Sequence, residues 1–548
     1  MSLHALTATF VILALTSVVV VVVVWTRRRR HHPNPQNLPP GPKGWPVIGN
    51  LHLLAGSLPP HRALAALASR HGAPLMHLKL GSFHVIVASS AATARLVLKT
   101  HDLAFADRPP TAFGSILAYG YKGILQTPYG AYWRMARKLC AAELFSPHRV
   151  ASFELVRVQE MRAMTRAIFL VSGAGGGGVQ VKEHLQNLAM RNILRMAVGD
   201  KWSGCYGSEE GEIFRRTLEE AFAVTSAVSN VGDWLPWLEW LDLQGLNRRM
   251  RRVHHLFDRF FEQILDEHER DRDPRKRGEE FAGGEELAAR DLVDVLLERA
   301  EEGGGEEEAE EARLTRDGVK AIIQDVIAGG TETTAITSEW AMAELLRRPD
   351  AMSAAAGELD RVVGRGRWAT EHDLPALPYV TAVVKETMRL HPVAPLLAPR
   401  RAREDTTVVV SGAGGEYCYD VPAGARVLVN AWAVARDPAS WPDSPEEFRP
   451  ERFLAGGGGE GVDVRGAHFE LLPFGSGRRI CPAYNLGLKE VAAMVANLVH
   501  GFEWRLPEGM SVEDLSMEEQ FGLSLCRKVP LVAVAEPRLP AHLYAALD

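Results

Sequence analysis

One nine-residue segment constrains this chain more than any other: Pro473-Phe474-Gly475-Ser476-Gly477-Arg478-Arg479-Ile480-Cys481. Glycines at 475 and 477 permit a tight turn that bares its backbone N–H groups. A cysteine closing such a turn has donors aimed at its sulfur, which is what a charged thiolate needs in a sheltered site. The bland alternative is a Gly-rich turn that happens to end in cysteine. Chance gives a Phe-x-x-Gly-x-Arg-x-Cys match somewhere in a chain of this composition with odds of roughly one in a thousand. Cys481 therefore reads as a ligand for a metal. The other four cysteines, Cys140, Cys205, Cys418 and Cys526, read as small buried apolar residues. The odd total of five and the scattered spacing argue against a zinc cluster and a disulfide framework, and favour a reducing, cytosolic setting.

The N-terminus sets a second constraint. Leu3 to Trp25 is almost wholly apolar and is followed at once by Arg27-Arg28-Arg29-Arg30. A helix of that length rises about 33 Å, enough for a bilayer core of about 30 Å. A cleaved signal peptide would carry its charge before a shorter apolar run. Charge after the span predicts a retained single-pass anchor over residues 1–26 with the chain body on the cytosolic side. Residues 27–50 are basic and then proline-rich, and are expected to be a semi-rigid spacer. From residue 51 to 548 the chain reads as one domain.

Within that domain apolar residues recur mostly at helical spacing, broken by short strand-like runs at His84–Ala88, Thr407–Val410 and Arg426–Val429. The expected fold class is mainly α with minor β sheet. Ser172–Gly178, Glu301–Glu311 and Ala455–Gly459 are low-complexity stretches expected as surface loops. The composition, 46% hydrophobic with a formal net charge of −6, is that of an ordinary globular protein and gives no sign of a nucleic-acid partner.

Three further motifs stand in order along the chain. Ala328-Gly329-Gly330-Thr331-Glu332-Thr333-Thr334 sits in a helical pattern from about Val319 to Leu346, where two adjacent glycines cost roughly 1 kcal/mol each and need a reason. A kink, or room for dioxygen, would supply one. Glu386-Thr387-Met388-Arg389 puts Glu386 and Arg389 on one helix face, and Pro450-Glu451-Arg452-Phe453 offers a third charge.

Together with the Cys481 segment, these motifs resemble those of the cytochrome P450 superfamily in its plant form. The resemblance runs from the anchor to about Leu543, and implies the cytochrome P450 fold, haem b, and Cys481 as the axial ligand of its iron. It also implies a shield for the sulfur in Phe474, a tight turn at Gly477, and propionate contacts from Arg479, Trp133, Arg137 and Arg400. Glu386, Arg389 and Arg452 would form a structural charge network behind the haem. Thr333 and Glu332 would serve dioxygen activation, Thr333 as a hydroxyl above the iron and Glu332 feeding a proton relay. One departure is Ala483, where the family usually has glycine two residues after the ligand.

A thiolate ligand pushes electron density onto iron and favours O–O cleavage. The implied activity is a haem monooxygenase of the endoplasmic reticulum membrane, using O2 on a small lipophilic substrate. No Gly-x-Gly-x-x-Gly stands between a strand and a helix, so electrons from NADPH must come through a separate reductase. The C-terminal stretches Asp514–Glu519 and Pro537–Leu543 resemble a plant clade that includes flavonoid hydroxylases and, in grasses, enzymes that cleave acyclic terpene alcohols to homoterpenes. The second is the preferred reading, with flavonoid or phenylpropanoid ring hydroxylation as the alternative. A peroxide-rearranging haem enzyme or a non-catalytic haem protein are the readings from other classes. Apolar segments expected to face substrate are Arg108–Leu125, Trp234–Trp240, Ile323–Ile327, Val393–Leu397 and Phe521–Ser524.

Overall fold

The computed structural model of the protein describes residues 37–173, 178–203, 209–225, 230–272, 291–301, 312–412 and 415–545. The expected anchor over residues 1–26 lies outside the described residues. Among those described, no helix is long and apolar enough to cross a membrane.

Seven helices frame the site: α1 (Ala131–Glu143), α2 (Val181–Val198), α3 (Glu209–Val224), α4 (Leu246–Arg272), α5 (Arg316–Arg347), α6 (Pro378–Leu390) and α7 (Tyr484–Gly501). Helix α5 starts where the Thr315 hydroxyl accepts the N–H of Gly318 and stops at Arg348, before Pro349. Nearly all its side chains beyond Gly318 are buried, as suits a helix that runs through the middle of a domain. Two apolar clusters grip its ends. One joins its first half to α2 and α4; the other joins its second half to α6 and α7. Residues 329–334 belong to neither cluster, and the main cavity opens there.

The strand-like runs are all strands. β1 (Leu75–Leu80), β2 (Phe83–Ala88), β3 (Arg400–Arg401) and β6 (Arg426–Val429) form one sheet in the order β1-β2-β6-β3, while β4 (Thr406–Gly412) and β5 (Gly415–Val421) form a separate hairpin. β6 runs parallel to β2, with Val85 opposite Arg426 and Ala88 opposite Val429. The β1–β2 turn requires glycine: Gly81 has φ +54°, and a Cβ there would lie 2.3 Å from the Trp234 carbonyl oxygen.

Two of the expected irregular segments carry specific packing. The far end of the 27–50 spacer is docked on the sheet: the Pro40 carbonyl accepts the His77 N–H at 3.0 Å, and the buried Asn50 side chain accepts the Lys79 N–H at 2.8 Å. Ala455–Gly459 is the expected surface loop, with Ala455, Gly456 and Gly458 exposed, but it is closely packed on its inner side. A Cβ at Gly457 would come within 2.3 Å of the Arg452 carbonyl oxygen, and one at Gly459 within 3.1 Å of the Trp441 ring. Glycine lets the chain lie flat against that arginine, a packing role invisible to composition.

Candidate active site

The cysteine turn is held by its own backbone. Gly475 and Gly477 have φ of +69° and +73°, and a Cβ at Gly477 would sit 2.1 Å from the Leu98 carbonyl oxygen. The Cys481 N–H donates to the Phe474 carbonyl at 3.0 Å, closing the loop. Cys481 is free and lines the cavity. Burial pushes its thiol pKa up, while a hydrogen bond from the Ala483 N–H to the sulfur and the charge of Arg137 oppose that. Ala483 itself has φ −97°, an ordinary value for alanine, so the departure from glycine carries no backbone strain. Phe474 also lines the cavity, and a Cβ at Gly487 on α7 would meet its ring at 3.6 Å.

Arginines crowd the same end of the cavity. Arg479 donates from Nε to the Ala106 carbonyl at 2.9 Å and from Nη2 to that of Thr127 at 2.7 Å, with its guanidinium 4.4 Å from the centre of the Trp133 ring. Burial brings its pKa down to about 9. The Trp133 indole N–H is taken by the Ile124 carbonyl at 3.2 Å. Arg400 pairs with Asp102 at 2.9 Å and donates to the Ser476 carbonyl at 3.1 Å. Arg137, on α1, lines the cavity with no hydrogen bond or ion pair among the described residues, and burial lowers its pKa. Arg108, at the head of the expected substrate-facing segment Arg108–Leu125, lines the cavity as well; it is buried and held by the carbonyls of Leu125, Ala398 and Pro399, each at 2.8 Å. Among the described residues, Arg400 alone of these four guanidiniums has a carboxylate within hydrogen-bond reach, so positive charge is in excess at this end of the cavity.

Opposite the cysteine, the two adjacent glycines of α5 have different reasons. Gly329 faces the cavity with nothing within 4 Å of a would-be Cβ, whereas a Cβ at Gly330 would lie 2.7 Å from Ile193 Cγ1. One glycine leaves space; the other lets α2 approach. Thr333 follows Gly329 by one turn, lines the cavity, and donates its hydroxyl to the Gly329 carbonyl at 2.7 Å. Glu332 departs from expectation. It is absent from the cavity wall and turned toward α2, where Gln186 donates to its carboxylate at 2.6 Å. Burial raises its pKa and Lys182 opposes that. Successive residues on a helix point about 100° apart, so an acid next to Thr333 cannot share its face.

Three other carboxylates, Asp233, Asp325 and Glu490, do line the cavity, Asp233 accepting the Ala112 N–H at 2.8 Å. Asp325, two turns before Thr333 on the same face of α5, accepts the N–H groups of Ile124 and Leu125 at 2.6 and 2.9 Å, both on Oδ2. Burial raises its pKa and those two bonds oppose it. Glu490 on α7 is also on the wall, with its pKa pushed up to about 8 by burial. The cavity of about 450 Å³ is otherwise mostly apolar. The expected segments contribute unequally. Of Trp234–Trp240 only Trp234 reaches the cavity, while Trp237 and Trp240 face outward. Of Ile323–Ile327 only Gln324, Asp325 and Val326 do, because Ile323 and Ile327 point into the α2–α4 cluster. Phe145, Phe222 and Phe257, which no sequence signal singled out, complete the wall.

Behind the cysteine, Glu386 and Arg389 on α6 are fully buried and joined by two bonds of 2.7 and 2.8 Å. Arg452 reaches Glu386 at 3.3 Å, and the Arg449 N–H donates to it at 2.9 Å. The arginines hold the 435–447 segment through the carbonyls of Ala435, Asp443, Ser444 and Pro445, with the Trp441 ring within 6 Å of both guanidiniums.

A free cysteine in a donor-lined turn, a glycine gap across from it and an end where arginines outnumber carboxylates fit a planar, dianionic iron macrocycle. The family model for cytochrome P450 matches residues 39–531. The chain is a cytochrome P450. This P450 is 69% identical over 511 residues to trimethyltridecatetraene synthase of Zea mays, which spans 93% of this chain and 90% of the relative. It is 66% identical to dimethylnonatriene synthase of Zea mays, over 93% of each protein. A flavonoid 3′-monooxygenase of Oryza sativa subsp. japonica is 42% identical over 92% of each. Among solved structures, a zebrafish cytochrome P450 with abiraterone is 27% identical and superposes with a TM-score of 0.68, over 88% of this chain and all of that one. This P450 is accordingly a helix-rich haem-thiolate monooxygenase of the clade that holds those plant enzymes.

Proposed function

We propose that this P450 oxidises an acyclic terpene alcohol and cleaves a C–C bond to release a homoterpene of the dimethylnonatriene or trimethyltridecatetraene kind. The observation that carries this reading is the step in identity, from 69% and 66% with the two maize homoterpene synthases to 42% with a flavonoid 3′-monooxygenase, at nearly equal coverage. An apolar cavity able to take a flexible hydrocarbon supports it.

Haem bound through Cys481 would supply dioxygen activation and hydrogen abstraction from an unactivated C–H. This chain's residues do the rest. Cys481 supplies the thiolate, its charge eased by the Ala483 N–H. Arg137, Arg400, Arg479 and Trp133 hold the acidic edge of the group. Gly329 keeps the space above it clear, and Thr333 presents the hydroxyl nearest that space. Proton supply from Glu332 requires its side chain to leave Gln186. Phe222, Val393 and Phe521 exclude water from the substrate. The protein is anchored in the endoplasmic reticulum membrane by residues 1–26, with its haem domain in the cytosol, and draws electrons from NADPH through a separate reductase.

The test is microsomes containing this P450, a plant reductase and NADPH, offered nerolidol, geranyllinalool and naringenin in parallel. Homoterpene products from either alcohol, identified by mass spectrometry, are expected. Hydroxylated naringenin with no terpene product overturns the reading.

A further inference from the structure

Asp325 is a carboxyl side chain on the wall of a mostly apolar cavity, and only half of it is used. Its Oδ2 takes both loop N–H groups. The fit is tight, since a Cβ at Gly123 would lie 2.3 Å from that oxygen. Its Oδ1 has no partner in the structure, yet it is not among the enclosed unpartnered atoms, and the residue keeps accessible surface deep inside the molecule. That surface belongs to the cavity. Asp325 precedes Gly329 by one helical turn, about 6 Å along the axis, on the face that carries Gly329 and Thr333. An ionised carboxylate accepts hydrogen bonds and donates none. What it lacks is a donor, and leaving a buried charge short of donors is costly.

We infer that Asp325 Oδ1 accepts the hydroxyl of an alcohol substrate and thereby fixes which carbons lie beneath Gly329. This rests on the terpene-alcohol reading above and deepens it. An apolar wall alone orients a flexible chain poorly, because many sliding registers bury equal area. One acceptor a turn from the reaction space selects a single register and favours substrates with an O–H over ethers and hydrocarbons of the same skeleton. The geometry of Oδ2 separates this role from the loop clamp. In Asp325→Asn the amide oxygen keeps the two loop N–H groups, and the NH2 turned to the cavity donates where the carboxylate accepted.

The experiment is a spectral binding titration of the haem-loaded protein with nerolidol and with its O-methyl ether, in wild type and in Asp325→Asn. The ratio of the two affinities, compared between proteins, cancels what is intrinsic to each ligand. Wild type is expected to favour the alcohol, and the ratio to fall about tenfold in Asp325→Asn, the weight of one hydrogen bond to a charged group. The main homoterpene product is expected to give way to oxidation at other carbons. Should the Asn protein not take up haem, Asp325→Ser removes the cavity-side acceptor and serves instead. Equal binding of alcohol and ether by wild type, or a ratio unchanged in the variant, overturns the assignment, a water then being what Oδ1 holds. Wild type that binds neither ligand overturns the terpene-alcohol reading itself, and the inference falls with it.

Discussion

The cysteine side of the cavity and the substrate side are built on opposite plans. On the cysteine side, one continuous segment makes the ligand turn, and backbone groups hold it: glycines at positive φ, an N–H on the sulfur, carbonyls on Arg479. Replacing any of these changes geometry. On the substrate side, Phe145, Phe222, Phe257, Val393 and Phe521 come from five separate stretches and contribute mainly bulk. Replacing one of them changes shape but not chemistry. The difference explains how a family can keep one reaction while its members act on different molecules.

The sharpest way to break that contrast is Cys481→Ala. It should abolish turnover and the reduced carbon-monoxide band of a thiolate haem; a surviving band would mean the cysteine side is not what defines this enzyme. Next comes Glu386→Gln, which strands the buried Arg389 and Arg452 at a cost of about 3–5 kcal/mol. Urea midpoint and haem retention should fall together, without a change of product among the molecules that still fold.

Gly330→Ala tests the boundary between the two sides. A methyl 2.7 Å from Ile193 Cγ1 should cost about 1–3 kcal/mol of stability, and Ile193→Ala in the same protein should recover part of it. Non-additive unfolding free energies are the readout. The last effect is a slope, small over any one pH unit. The fold holds Glu490 neutral up to about pH 8, well above an ordinary carboxyl, so the unfolded chain releases this proton first as pH rises. Its contribution is complete below about pH 4.5 and is lost on the way to about pH 8, by at most about 1.4 kcal/mol per pH unit. Glu490→Gln should flatten that part of the stability curve.

Much of the cysteine side was legible because its residues are close in sequence or belong to short motifs with fixed helical spacing. Glu386 and Arg389, three apart on α6, could hardly avoid one another. Glu332 lies about 100° round the helix from Thr333, so its side chain is turned toward Gln186 and not onto the cavity wall, because adjacency in sequence is not adjacency on a helix face. Trp237 and Trp240 looked like cavity residues by type, yet the turn after Trp234 carries them to the surface. Ala455–Gly459 looked like slack by composition and is packing.

By itself the sequence determined the ligand turn, the long central helix, the buried charge network and the mainly helical class, because each follows from local backbone preference or from the period of an element. Only the tertiary structure decided which glycine leaves room and which admits a neighbouring helix, which acid faces the cavity, and which arginines lack a carboxylate. Those properties depend on what stands across a gap from a residue, and nothing in its neighbours along the chain carries that.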